Sequence, residues 1–155
     1  MKKACILITI IILHLNTFSQ LFDATIDGAI PGTEKEVVDH FQKKGYTIYT
    51  DTKYSNEFVF LTGWLKPDER DSTSYSSMIH LTKEENTDFV QSIAIYFAPS
   101  NKIEYEDHKR KFIEKFGAPA SNYRKRAVWQ LHFYKYTIGE DDMGVYHELK
   151  VNKTL

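Results

Sequence analysis

Histidine ionises closest to neutral pH, so it marks the first candidates for proton transfer and metal ligation. Beyond the N-terminal segment the chain carries His40, His80, His108, His132 and His147. None falls in an HExxH pattern, which would set two imidazoles on one helix face. His132 and His147 lie on the two arms of the last predicted hairpin, where Glu148 or His80 could supply a third ligand. A zinc site normally shows a recognisable ligand set, and this spacing does not. The histidines read as strand and surface residues. No metal and no cofactor is expected.

Other chemistries leave equally little trace. Ser72, Ser74, Ser76 and Ser77 cluster without a Gly-x-Ser-x-Gly elbow. A serine nucleophile also needs a base and an oxyanion hole, and neither is marked. Glu84-Glu85, Glu106-Asp107 and Asp141-Asp142 are paired carboxylates. They fall in turns or at a helix start, where solvent and the helix dipole account for them. The spacing of a calcium-binding EF-hand is absent, and so is a Gly-rich phosphate cradle. Basic residues are densest from Lys109 to Arg126, interleaved with Glu114 and preceded by Glu106 and Asp107. That mixture reads as a solvated face, with an anionic surface as its functional alternative. The net charge of −1 over 155 residues argues against nucleic-acid binding.

Cys5 is the single cysteine and sits in the N-terminal segment. Lys2 and Lys3 precede an apolar run from Ala4 to Leu15, and Thr17 and Ser19 follow. This is the pattern of a signal peptide, residues 1–19, cut before Gln20. The run is shorter than the roughly 20 residues of a membrane span, so none is expected in the mature chain. Cys5 lies too early for a lipoprotein cleavage site. Residues 20–155 then form one α+β domain without disulfides or thiol chemistry. An exported location, periplasmic or extracellular, is expected.

The elements follow from periodicity and punctuation. Pro31-Gly32 is a turn, and Thr33-x-x-Glu36 has the form of a capping box opening a helix over 34–44. Val37, Val38 and Phe41 form its apolar stripe, and Gly45 ends it. Strands are predicted over 46–50, 57–65, 75–82 and 89–97. In the last two, Ile79, Leu81, Ile93, Ile95 and Phe97 alternate with Met78, His80, Ser92, Ala94 and Tyr96. A second helix begins near Asn101 and ends at Gly117 and Pro119. Strands over about 127–137 and 144–152 close the chain, joined by a polar loop at 138–143. Adjacent strands favour antiparallel pairing. The expected fold is α+β, an antiparallel sheet of about six strands with two helices packed on one face.

The run Ile26 to Thr33, the Lys43-Lys44-Gly45-Tyr46 helix exit and the Lys115-Phe116-Gly117-Ala118-Pro119 exit resemble small exported proteins of Bacteroidetes. The resemblance spans most of the mature chain. It implies a fold and an exported location, and no activity. The Pro-Gly-x-Thr helix start is similar to that of small outer-membrane assembly lipoproteins, from which this chain departs in lacking the lipidated cysteine. Beta-lactamase inhibitor proteins resemble it in their helix-and-sheet build alone.

The aromatic residues are the most informative lead. Trp64, Tyr75, Tyr96, Trp129, Phe133, Tyr134, Tyr136 and Tyr146 all fall on predicted strands. With helices covering one face, Tyr96, His132, Tyr134 and Tyr136 are expected to share the other with Met78 and His80. Such side chains give large contact area at low entropic cost. The expected function is an exported, non-catalytic interaction module of the cell envelope, with an envelope protein as partner. The alternative is a small-ligand binder or hydrolase with a pocket between sheet and helices. A third is a structural subunit of an envelope assembly.

Overall fold

The computed structural model describes residues 24–53, 58–65, 77–84, 86–97 and 104–152. The predicted signal peptide and Ser72, Ser74 and Ser76 lie outside the described residues, as does the Asn101 helix start. A tight hairpin pairs Ile26 with Ala29 around Asp27 and Gly28. Strand β1 (Gly32–Thr33) leads into helix α1 (Glu34–Lys43). Strands β2 (Thr47–Lys53), β3 (Phe58–Leu65), β4 (Ser77–Glu84) and β5 (Phe89–Phe97) follow. Helix α2 (Tyr105–Phe116) precedes β6 (Ser121–Asn122), β7 (Arg126–Gln130), β8 (Tyr134–Asp141) and β9 (Gly144–Val151).

The described strands join one antiparallel sheet, in the order β2-β3-β4-β5-β9-β8-β7-β6. The short β1 pairs separately with β5. Each helix is followed by a run of four strands, and the last strands of the two runs, β5 and β9, pair at the centre. The α+β fold therefore stands as expected. Seven strands have five residues or more, close to the expected six.

Local sequence explains the helix ends. Thr33 accepts from the Glu36 backbone N–H, and the Glu36 carboxylate accepts from the Thr33 backbone N–H, the capping box read from the sequence. Gly45, with φ at 92°, takes the left-handed turn that releases the chain into β2. Helix α2 starts without a side-chain cap, and Glu106 and Asp107 in its first turn favour the helix dipole instead.

Both helices cover the same face of the sheet, here the inner face. From α1, Phe41 and Val37 join a core that includes Leu81, Ile93, Ile138 and Leu149. Lys83 on β4 pairs with Glu34 of α1. From α2, Phe112 stacks on Tyr136 of β8 with ring centroids 4.2 Å apart. It meets Trp129 of β7 edge-on at 4.9 Å. At about 25 cal/mol per Å² of apolar surface, these side chains supply most of the driving force that seats the helices.

Two stretches differ from expectation. The strand predicted over 127–137 is two strands, because the chain turns at Leu131–Phe133 and the Leu131 N–H donates to the Tyr134 carbonyl. The loop predicted at 138–143 is mostly strand. β8 runs to Asp141, and only Asp142 and Met143 form the turn.

Candidate functional site

Strand register sorts each residue to a face, since side chains alternate with period two. On the outer face, opposite both helices, one row of directly opposed positions runs Met78, Tyr96, Tyr146, Gly139 and Arg126. The next runs His80, Ala94, Glu148, Thr137 and Val128. A third runs Thr82, Ser92, Lys150, Lys135 and Gln130. Trp64 aligns with Met78 in the register of β3 and β4.

These rows hold a strip of rings. His80 and Tyr96 have centroids 5.2 Å apart, and so do Tyr96 and Tyr146. Those separations lie in the favourable range for aromatic pairs. The Tyr146 ring lies over Gly139, where a Cβ would stand 2.4 Å from its Cζ. Glycine at 139 is therefore what lets the ring lie down on the sheet. Partial burial, followed by the charge of Asp141, pushes the Tyr96 phenol up to about 12. Tyr146 is pushed up by burial as well. Both hydroxyls stay protonated and able to donate at neutral pH. Glu148 accepts from the Ser92 hydroxyl at 3.0 Å. Thr137 beneath is fully buried, and its hydroxyl has no hydrogen-bond partner.

Of the six residues expected to share this face, Met78, His80 and Tyr96 do. Tyr134 and Tyr136 are on the inner face, and His132 is exposed in the turn after β7. The turn at 131–133 is the reason. It makes Tyr136 the direct partner of Trp129 and reverses the alternation that a continuous strand would have had. Tyr146 belongs to the strip and was not singled out. Its signal was its alternation with Val145 and His147 in β9.

The inner face holds the most connected polar group. Tyr136 Oη lies 2.9 Å from His147 Nδ1, and His147 Nε2 lies 2.7 Å from His108 Nδ1 on α2. Burial raises the Tyr136 phenol well above its ordinary value, so its O–H is kept. It donates to Nδ1. His147 then carries its proton on Nε2 and donates to His108. Burial, and after it the neighbouring imidazole, pushes His147 down to about 3. His108 is lowered by burial and by Lys111, with Asp107 opposing. Phe97 and Phe112 pack around the pair. All the ring nitrogens of His147 are used within the protein. The arrangement anchors α2 to β9, and burial holds its imidazoles toward the neutral form.

The ligand set sketched around His132 and His147 is not assembled. His132 is in the turn, His147 faces α2, and His80 and Glu148 lie on the opposite face. Among the described residues no three His, Cys, Asp or Glu are placed to hold a metal ion. Ser77 is buried and bonded to the Tyr46 hydroxyl at 2.6 Å. Within the basic segment, Lys109, Arg110 and Lys125 pair with Glu106, Asp107 and Glu140. A groove of about 370 Å³ runs between the 26–29 hairpin and α1, past Ile30, Glu36 and His40. A smaller one of about 210 Å³ lies by Phe89, Gln91 and Val151. No helix among the described residues is long and apolar enough to cross a membrane.

The class that the fold defines is a two-helix, antiparallel-sheet α+β protein. Comparison with protein-family models, with curated proteins and with solved structures gives no match for the chain.

Proposed function

We propose that the protein is an exported, non-catalytic interaction module of the cell envelope that binds a protein partner through the outer face of its sheet. The observation that carries this reading is the His80–Tyr96–Tyr146 strip on the face opposite both helices. Aromatic residues and Arg are side chains enriched where proteins meet, and one row of this face carries Tyr96, Tyr146 and Arg126, with Met78 of the same row buried. Export rests on the N-terminal pattern of Lys2, Lys3 and the apolar run. The non-catalytic part rests on the Tyr136–His147–His108 chain, whose hydrogen bonds are turned inward to the fold.

The test is capture from an envelope extract by tagged protein, comparing the natural chain with Tyr96→Ala/Tyr146→Ala at matched circular dichroism. Loss of one stoichiometric partner in the double variant supports the reading. Equal capture of that partner by both overturns it. Edman sequencing of the processed chain beginning at Gln20 would support export, and an intact Met1 in a cytoplasmic fraction would refute it.

A further inference from the structure

Resting on that reading, we infer that Lys135 and Lys150 form the seat on the outer face for a carboxylate from an acidic segment of the partner protein. The β8–β9 register sets these two lysines directly opposite one another. Both are half-buried. Like charges in directly opposed positions destabilise a sheet. Lys35, Lys83 and Lys109 on the other helices and strands, and Lys44 and Lys125 next to them, each hold a carboxylate. The helix lysines that hold none, Lys43 and Lys111, are exposed to solvent. Among the described residues neither the Lys135 nor the Lys150 side chain has a hydrogen-bond or ion-pair partner.

Their neighbours leave them that way. Lys150 faces Ser92 and Lys135 faces Gln130, both uncharged. The nearest acid along β9, Glu148, gives an oxygen to the Ser92 hydroxyl. Two lysines set opposite one another, with the Gln130 amide beside them and the Ser92 hydroxyl already held by Glu148, suit a carboxylate, which accepts through two oxygens. A protein partner fits better than a polyanion. Glu148 stands in the adjacent row and Asp141 acts on both tyrosines of the strip, so a uniform run of negative charge would be repelled. A single acid beside an apolar contact would not. A local rule broken without internal compensation is what a binding position leaves in a sequence.

The experiment titrates the full chain, labelled for NMR, with a hexaglutamate peptide at low salt. Shifts centred on Lys135, Lys150, Ser92 and Gln130, with affinity falling about tenfold in Lys135→Gln/Lys150→Gln, support the seat. The same double variant should melt at or above the temperature of the natural protein, because it relieves repulsion. Unchanged peptide affinity in the variant overturns the proposal, as does a lower melting temperature, which would make the pair structural. Binding of polygalacturonate with no response to the peptide also overturns it, in favour of a polysaccharide. If Tyr96→Ala/Tyr146→Ala releases the captured partner while the lysine variant retains it, the face reading survives and the carboxylate seat falls.

Discussion

The two faces of one sheet are built to different standards. On the inner face each large side chain has a packing partner, and the buried tyrosine and histidines pass their hydrogen bonds in a closed line. On the outer face a buried hydroxyl at Thr137 has no partner and two lysines oppose each other, while the other unpartnered buried group, the Gln91 amide nitrogen, sits at the β5 bulge. A buried polar group left unpaired costs about 1–3 kcal/mol. Natural proteins keep such costs where activity needs them. The contrast teaches that the inner face holds the fold, and the outer face is the one to which the proposed function assigns contact.

The largest effect that would sharpen this contrast is at Phe112, which stacks on Tyr136 and meets Trp129. Phe112→Ala should destabilise by about 3–5 kcal/mol in urea unfolding, the range for truncating a packed aromatic. A change below about 1 kcal/mol would mean that α2 is not seated by this stack.

Acid should act next, through the histidine pair of the inner face. His147 has a depressed folded pKa of about 3 against an ordinary value of 6.5. The unfolded chain therefore binds the proton first. Stability is full above about pH 6.5 and falls as pH drops toward 3, with about 3 kcal/mol gone by pH 4. Urea midpoints measured across that window check the sign. A His147→Gln variant should flatten the dependence while starting from lower stability. Midpoints that stay level from pH 7 to 4 would contradict the buried neutral pair.

Glycines on opposite faces offer a matched test. At Gly63 an added Cβ would come within 2.8 Å of Ile79 Cγ1 and 3.0 Å of Ile48 Cγ1, in the core. Gly63→Ala should cost about 1–3 kcal/mol by overpacking. At Gly139 the obstacle is the Tyr146 ring, which can swing off the sheet. Gly139→Ala should displace that ring, read as lost contacts between Tyr146 and residue 139 in NOE spectra, and weaken partner capture. If Gly139→Ala costs more stability than Gly63→Ala, the division of labour between the faces is wrong.

The smallest effect has the opposite sign. Thr137→Val removes the unpartnered hydroxyl and should raise stability by about 1 kcal/mol, measured by urea unfolding. A loss of similar size would show that the hydroxyl is satisfied.

Much of this was legible where local rules decide. Thr33 and Glu36 announced the start of α1, and Gly45 its end. The alternation in β4 and β5 put Ile79 and Ile93 inward and Met78, His80 and Tyr96 outward. The turn at 131–133 was not legible, because Leu131, His132 and Phe133 carry neither glycine nor proline and look like strand. Gly139 read as a loop residue because a glycine in a strand is a turn signal unless a neighbouring ring covers it. The His108–His147 pair joins α2 to β9 across 39 residues, and no local pattern reports a contact of that kind.

The most direct test of the division between faces is one double variant measured two ways. Tyr96→Ala/Tyr146→Ala should lose the captured partner while its unfolding free energy falls by about 2–4 kcal/mol over two half-buried rings and their pairing, less per ring than Phe112→Ala. Retained capture together with a loss per ring as large as that of Phe112→Ala would make the outer face a second packed face, and would contradict the account.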